Sequence, residues 1–289
     1  LVDALLRGRD LTAHYTDAGV LPRDLLIAGG DTTFSLLMTD GRVITTGLFF
    51  LLTVIAAVCL ALGVRTRLST FVCWLLVISI QGRNPMLNSG GDVLLRLLLF
   101  WGFFLPWGKV WSFDGKAEPC HGPESFKSVA GWAYLLQVIQ VYLFAALLKT
   151  GNAWRDGTAI YYALNVEHFS TPVGRWALGF PEYLEPLTFA VYYYELLVGL
   201  LFILPFFHGF FRTLGIFSLV FVHIAIALHM NLGMFSPIAT IASVGLLPTW
   251  FWKKISKFSV LKALDLESME GQVREPESQP PLLEFARAA

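Results

Sequence analysis

The chain has 289 residues and carries 21 Lys and Arg against 21 Asp and Glu, a formal net charge of zero. It therefore lacks the basic excess expected of a nucleic-acid binder. Hydrophobic residues make up 55 % and charged residues 15 %, with a mean hydropathy of +0.61, against roughly 25 % charged in a soluble domain. These values exclude general disorder and argue against a soluble globular fold.

In chain order, the first residues read as the tail of an apolar helix. Leu1 is not a methionine, which predicts a processed or truncated N terminus with one further span before it. A bilayer core asks for about 20 apolar residues in a helix. Residues 43–64 are charge-free and bracketed by Arg42 and Arg65. Residues 68–82 form a shorter run, extendable to 87 if Arg83 snorkels. Residues 93–107 hold one charge, Arg96, and residues 128–148 hold none between Lys127 and Lys149. Residues 186–207 hold Glu195. Residues 213–252 contain no Lys, Arg, Asp or Glu over 40 positions, too long for one crossing, so a turn is expected at Asn231, Gly233, Ser236 and Pro237. The fold class is therefore all-α: a polytopic transmembrane helical bundle of seven to eight spans in contact with the lipid bilayer.

The loops 1–42 and 150–185 are rich in aromatic residues (Trp154, Tyr161, Tyr162, Phe169, Trp176, Phe180 and Tyr183 in the second). They predict amphipathic interfacial or re-entrant helices capping the bundle. Lys and Arg bias across the loops places the C terminus in the cytoplasm. Residues 1–252 then form the membrane domain and 253–289 a Glu- and Pro-rich disordered tail. Cys59 and Cys73 lie in apolar runs and read as buried small hydrophobes, while Cys120 is the one candidate reactive thiol. No metal-binding spacing occurs.

Ionisable residues inside hydrocarbon call for an explanation. Asp92 and Arg96 are four apart and can pair on one helix face. Lys149 at the end of its run can snorkel to the interface or, desolvated beside a cleft wide enough for an aromatic ring, act as a general base. Tyr142 lies two turns back on nearly the same face, and Gln140 on roughly the opposite one. Glu195 reads equally as a helix-to-helix bond or as a functional acid. His223 is either a hydrogen-bonded core residue or a site residue, and His229 lies on another face.

Four segments carry a resemblance: HYTDAGVLPRDLL (14–26), NSGGDVLLRLLLFWGFFLPWG (88–108), YLFAALLKTGNAWRDGTAIYYAL (142–164) and FVHIAIALHMNLGMFSP (221–237). Together they resemble the HTTM domain, the membrane domain shared by vitamin K-dependent gamma-carboxylase and bacterial homologues. The resemblance implies a membrane enzyme, in the bacterial inner membrane, that couples oxygenation of reduced vitamin K or menaquinol to modification of a peptide or protein, with O2 and CO2 and without a metal. Lys149 aligns with the family's second lysine, as general base, and Leu148 stands where the first would be. His223, ahead of Gly233-Met234-Phe235-Ser236, and Glu195 match a family histidine and acid. Tyr142, Trp154, Arg96 and Gln140 are the candidate residues for binding the quinone or substrate. A family histidine in an Asn-Asn-His segment has no counterpart in 88–92, where Asp92 is the candidate substitute. The family's large propeptide-binding region also lacks a counterpart, so a secreted peptide would be met by the loops or by a partner subunit. Two other readings stay open: a non-catalytic maturation or export subunit, and a proton-relaying transporter.

Overall fold

A computed structural model of the chain describes residues 1–30, 33–109, 112–117 and 128–255. Cys120, Lys127 and residues 256–289 of the expected tail at 253–289 lie outside the described residues, while 253–255 belong to the last helix. The described chain is helical and divides into two units, Leu1–Leu247 and Pro248–Ala289.

In the first unit, α1 (Val2–Gly8), α2 (Leu11–Tyr15) and α3 (Arg23–Ala28) lead into α4 (Val43–Leu62), α5 (Thr66–Arg83) and α6 (Gly90–Phe104). A short α7 (Phe113–Ala117) precedes α8 (Val129–Leu147). Three short helices follow, α9 (Asn152–Arg155), α10 (Ala159–Asn165) and α11 (Pro172–Ala177). Then come α12 (Pro181–Ile203), α13 (His208–His229) and α14 (Phe235–Val244). The described part of the second unit is α15 (Thr249–Ile255).

Local chemistry sets the ends. Gly63, at φ +70°, closes α4 in the left-handed conformation that glycine adopts without penalty. Asn84-Pro85, Leu105-Pro106 and Leu204-Pro205 stop α5, α6 and α12, because the residue before proline is pushed out of the helical region. Ser89 and Asp92 form a reciprocal capping box that starts α6, and Ser128 accepts from the Gly131 amide at the start of α8.

Among the described residues four helices are long and apolar enough to cross a bilayer: α4, α8, α12 and α13. The expected seven to eight spans are thus matched by four helices of bilayer length among the described residues, and the remaining spans are not confirmed. The run in α5 carries Ser69, Thr70, Ser79, Gln81 and Arg83 as buried polar residues, which dilute its apolar content. The α6 helix has 15 residues and α14 has 10, or about 22 Å and 15 Å at 1.5 Å per residue, short of a hydrocarbon core of about 30 Å. The turn expected after α13 is present, but its second leg breaks again after Val244.

Two apolar cores share α6. Leu94 and Leu98 pack with Tyr134, Val138, Val198, Phe202, Leu219 and Ala239 of α8, α12, α13 and α14. Leu99 faces Ala56, Cys73 and Leu76 of α4 and α5. Among the described residues, 1–42 holds three short α-helices and a 3-10 turn at Leu36–Met38, and 150–180 holds three short α-helices. The first stretch is anchored both by an apolar cluster of Tyr15 and Leu37 against Phe50 of α4 and Ile80 of α5 and by polar bonds. Arg83 is fully buried and donates to the Leu21 carbonyl at 2.8 Å, and Asn84 Nδ2 donates to the His14 carbonyl at 2.9 Å. Arg83 thus does not snorkel, because a long guanidinium with peptide and carboxylate acceptors inside the protein has no need to reach water.

Candidate functional site

The site is built where α8 ends. The α8 and α12 helices run antiparallel and pack closely: Gly199 of α12 lies against Ile139, where a Cβ would come within 2.9 Å of the isoleucine side chain. About three turns further on, just past the end of α8, this places Glu195 level with Lys149. Glu195 is mid-helix in the sequence, yet it stands at the end of α8, because the first half of α12 runs past that end to meet the α9–α10 cap. Thr188 Oγ1, on that first half, accepts a 3.4 Å bond from the Ile160 amide.

Lys149 and Glu195 form an ion pair with side chains only 14 % and 15 % exposed. The amine also donates to the Ala145 carbonyl at 3.1 Å. The indole ring of Trp154, from α9, lies 4.8 Å from Nζ, a cation–π contact that shields the pair on one side. The amine is therefore largely screened from solvent. The aromatic ring beside it belongs to the protein itself. Lys149 and Glu195 line none of the cavities of about 280, 380 and 640 Å³.

One layer in, Tyr142 and His223 join α8 to α13. The tyrosine hydroxyl and Nε2 are 2.8 Å apart, in a bond whose direction follows the imidazole tautomer. The imidazole is 1 % exposed and packs edge-on against Phe235 of α14, with ring centroids 5.4 Å apart. Its Nδ1 is buried without a partner. A neutral imidazole has one donor and one acceptor nitrogen, so Nδ1 retains unused bonding capacity. The structure thus brings together Lys149, Glu195, Trp154, Tyr142 and His223.

The remaining candidates lie elsewhere. Asp92 does not pair with Arg96. Its carboxylate is held by Arg7 and accepts from the Ser89 amide at 2.7 Å. Arg7 also donates to the Tyr15 hydroxyl at 2.9 Å and to Asp3 at 3.0 Å. A guanidinium reaching in from the N-terminal segment offers Asp92 a better partner than Arg96. In this arrangement Asp92 caps α6 and anchors α1, with none of its hydrogen bonds made to Lys149, Glu195 or His223. Its connection to the site is indirect: a Cβ on Gly91 would fall 2.8 Å from Cα of Phe235, the ring that packs on His223. Gln140 is exposed on the outer face of α8, away from the cluster. His229 bonds the Ala225 carbonyl through Nδ1 at 2.8 Å.

Sequence reasoning missed Arg7 altogether. The signal available was its i,i+4 spacing from Asp3. It also missed a cavity of about 380 Å³ near His223, lined by His168, Thr171, Arg175, Asn231 and Ser236. Ser236 Oγ is buried there without a partner, next in sequence to Phe235. Among the described residues no group of three or more His, Cys, Asp or Glu is placed to hold a metal.

An all-helical bundle with four bilayer-length apolar helices and a screened Lys–Glu pair is the architecture of an integral membrane protein. The HTTM domain family model matches residues 34–252, and the chain belongs to that family. HTTM domains are associated with vitamin K-dependent carboxylase-like membrane proteins. The match contains Lys149, Glu195, Tyr142, Trp154 and His223, and excludes Arg7. No curated protein and no solved structure matches the chain.

Proposed function

We propose that the chain is a quinol-dependent, carboxylase-like membrane enzyme in which Lys149 and Glu195 together accept a phenolic proton. The observation that carries this reading is the screened ion pair beneath an indole ring. When bound, reduced vitamin K or menaquinol with O2 would supply the oxidising chemistry of epoxidation, with CO2 the source of a new carboxyl group. What supports a ring here is that an aromatic face, that of Trp154, already lies against Nζ, and that the amine and the Glu195 carboxylate are within hydrogen-bond distance of each other. For Lys149 to serve as the base, its own proton has to pass to Glu195, leaving a neutral amine beside a neutral acid, a state that a low-dielectric site tolerates better than water does. Tyr142 and His223 fix the neighbouring wall, and Arg175, His168 and Asn231 on the adjacent cavity suit an anionic acceptor side chain of a peptide. In this reading α5, α6 and α14 complete the bundle as shorter crossing or re-entrant helices, with the C terminus cytoplasmic.

A non-catalytic maturation subunit draws on a different fact: the amine is satisfied inside the protein and lines none of the three cavities. One assay separates the two. Purified wild type, Lys149→Ala and Glu195→Gln are supplied with reduced menaquinone or vitamin K and O2, and epoxide is measured. Epoxide formed by wild type and lost in Lys149→Ala supports the enzyme. Equal inactivity of all three, with no thermal stabilisation by the quinone, supports the subunit.

A further inference from the structure

We infer that the opposite end of the bundle carries a phosphate-binding site centred on Arg212. A cavity of about 640 Å³ opens between the start of α8, the start of α13 and the end of α14, lined among others by Trp107, Trp132, Tyr134, His208 and Arg212. Arg212 is partly buried, its Nε is shut off from solvent, and that atom has no hydrogen-bond partner. Among the described residues, no ion pair involves Arg212 and none of those lining the cavity is an Asp or Glu. A guanidinium is always charged, presents five donors, and is costly to leave unpaired in a low-dielectric site. The missing partner is therefore an anion with several acceptor oxygens, and a phosphate matches the guanidinium fork.

The surroundings favour a lipid headgroup as its source. Trp132 is 61 % exposed and Trp107 is 41 % exposed, while Phe207 and Phe210 at the adjoining helix start are also exposed. Such a ring of aromatics marks the bilayer interface, the depth at which phospholipid phosphates lie, and basic pockets between helices hold anionic headgroups there. The Tyr134 hydroxyl donates to the Ala242 carbonyl at 3.0 Å, which fixes one wall independently of any ligand.

The site is separate from the Lys149–Glu195 pair, so its test needs no turnover. The full chain in a neutral detergent is titrated with dioctanoyl phosphatidylglycerol, with dioctanoylglycerol (the same tails without phosphate) and with inorganic phosphate, following thermal unfolding. Stabilisation of wild type by phosphatidylglycerol but not by dioctanoylglycerol is expected. Arg212→Lys should keep part of the effect, and Arg212→Gln should weaken apparent affinity about tenfold or more. Stabilisation by inorganic phosphate at comparable concentration also supports the site and identifies its occupant as free phosphate. Equal stabilisation of wild type by both glycerolipids overturns the proposal without recourse to any variant, as does an undiminished response in Arg212→Gln or no response at all.

Discussion

The Tyr142 hydroxyl lies 2.8 Å from Nε2 of His223, while Nδ1 of the same buried ring has no partner. Among the described residues, Tyr142 is therefore the single hydrogen-bonding contact of that imidazole. Tyr142→Phe should destabilise the protein by about 1–3 kcal/mol, the cost of an orphaned buried polar group, seen as a lower melting temperature in detergent. An unchanged transition would show that the contact is not made in solution.

The Lys149–Glu195 pair predicts an asymmetry. Removing one partner, as in Lys149→Met, leaves a poorly screened charge and should cost about 3–5 kcal/mol. The double variant Lys149→Met with Glu195→Leu should regain most of that stability while remaining without quinol turnover. Restored stability together with restored turnover would exclude the pair from the chemistry.

Arg7 and Asp92 should be energetically coupled even though they are separated by 85 positions in the chain. A double-mutant cycle of Arg7→Gln and Asp92→Asn, followed by thermal or denaturant unfolding, should give a coupling of about 0.5–3 kcal/mol. Additive effects would mean that α1 does not dock on the start of α6.

Stability should fall in acid through the loop carboxylates outside the spans. Side-chain hydrogen bonds from Arg23 hold the Asp17 carboxyl below its ordinary range, and hydrogen bonds from Arg42 and Thr45 do the same for Asp40. A depressed folded-state value adds stability above the unfolded value of about 4, and that stability is lost as pH drops through the folded value. Asp17→Asn should thus melt below wild type at pH 7, with the gap closing below about pH 4. A constant gap from pH 7 to pH 3 would contradict the ion-paired geometry.

Two glycines should respond in opposite directions. A Cβ at Gly91 would collide with the Phe235 backbone at 2.8 Å, whereas one at Gly47 in α4 meets nothing within 4 Å. Gly91→Ala should lower the melting temperature and disturb the Phe235–His223 packing. Gly47→Ala should hold or raise it, by up to about 1 kcal/mol of helix propensity.

Apolar run length and helix-stopping Gly and Pro act locally, which is why the helical class, the membrane setting and the cores of most long helices could be read from residue order. The 186–207 run foretold a helix there, but not that it begins at Pro181 and carries Pro186 within it. Proline in the second turn removes one bond and can be tolerated where the flanking helix is packed. Lys149, Glu195 and His223 were legible as ionisable residues placed in hydrocarbon, Tyr142 by its register two turns before Lys149 and Trp154 as an aromatic of the following loop, and their charge and hydrogen-bonding capacity belong to the residues themselves. Which of them meet was a matter for the packing of α8 against α12 and α13. That packing put Glu195 at the amine, gave Asp92 to Arg7 rather than to Arg96, and left Gln140 on the outside. Side-chain partners are set by distances between elements far apart in the chain, and a charge selects among the counter-charges that the folded backbone brings within reach.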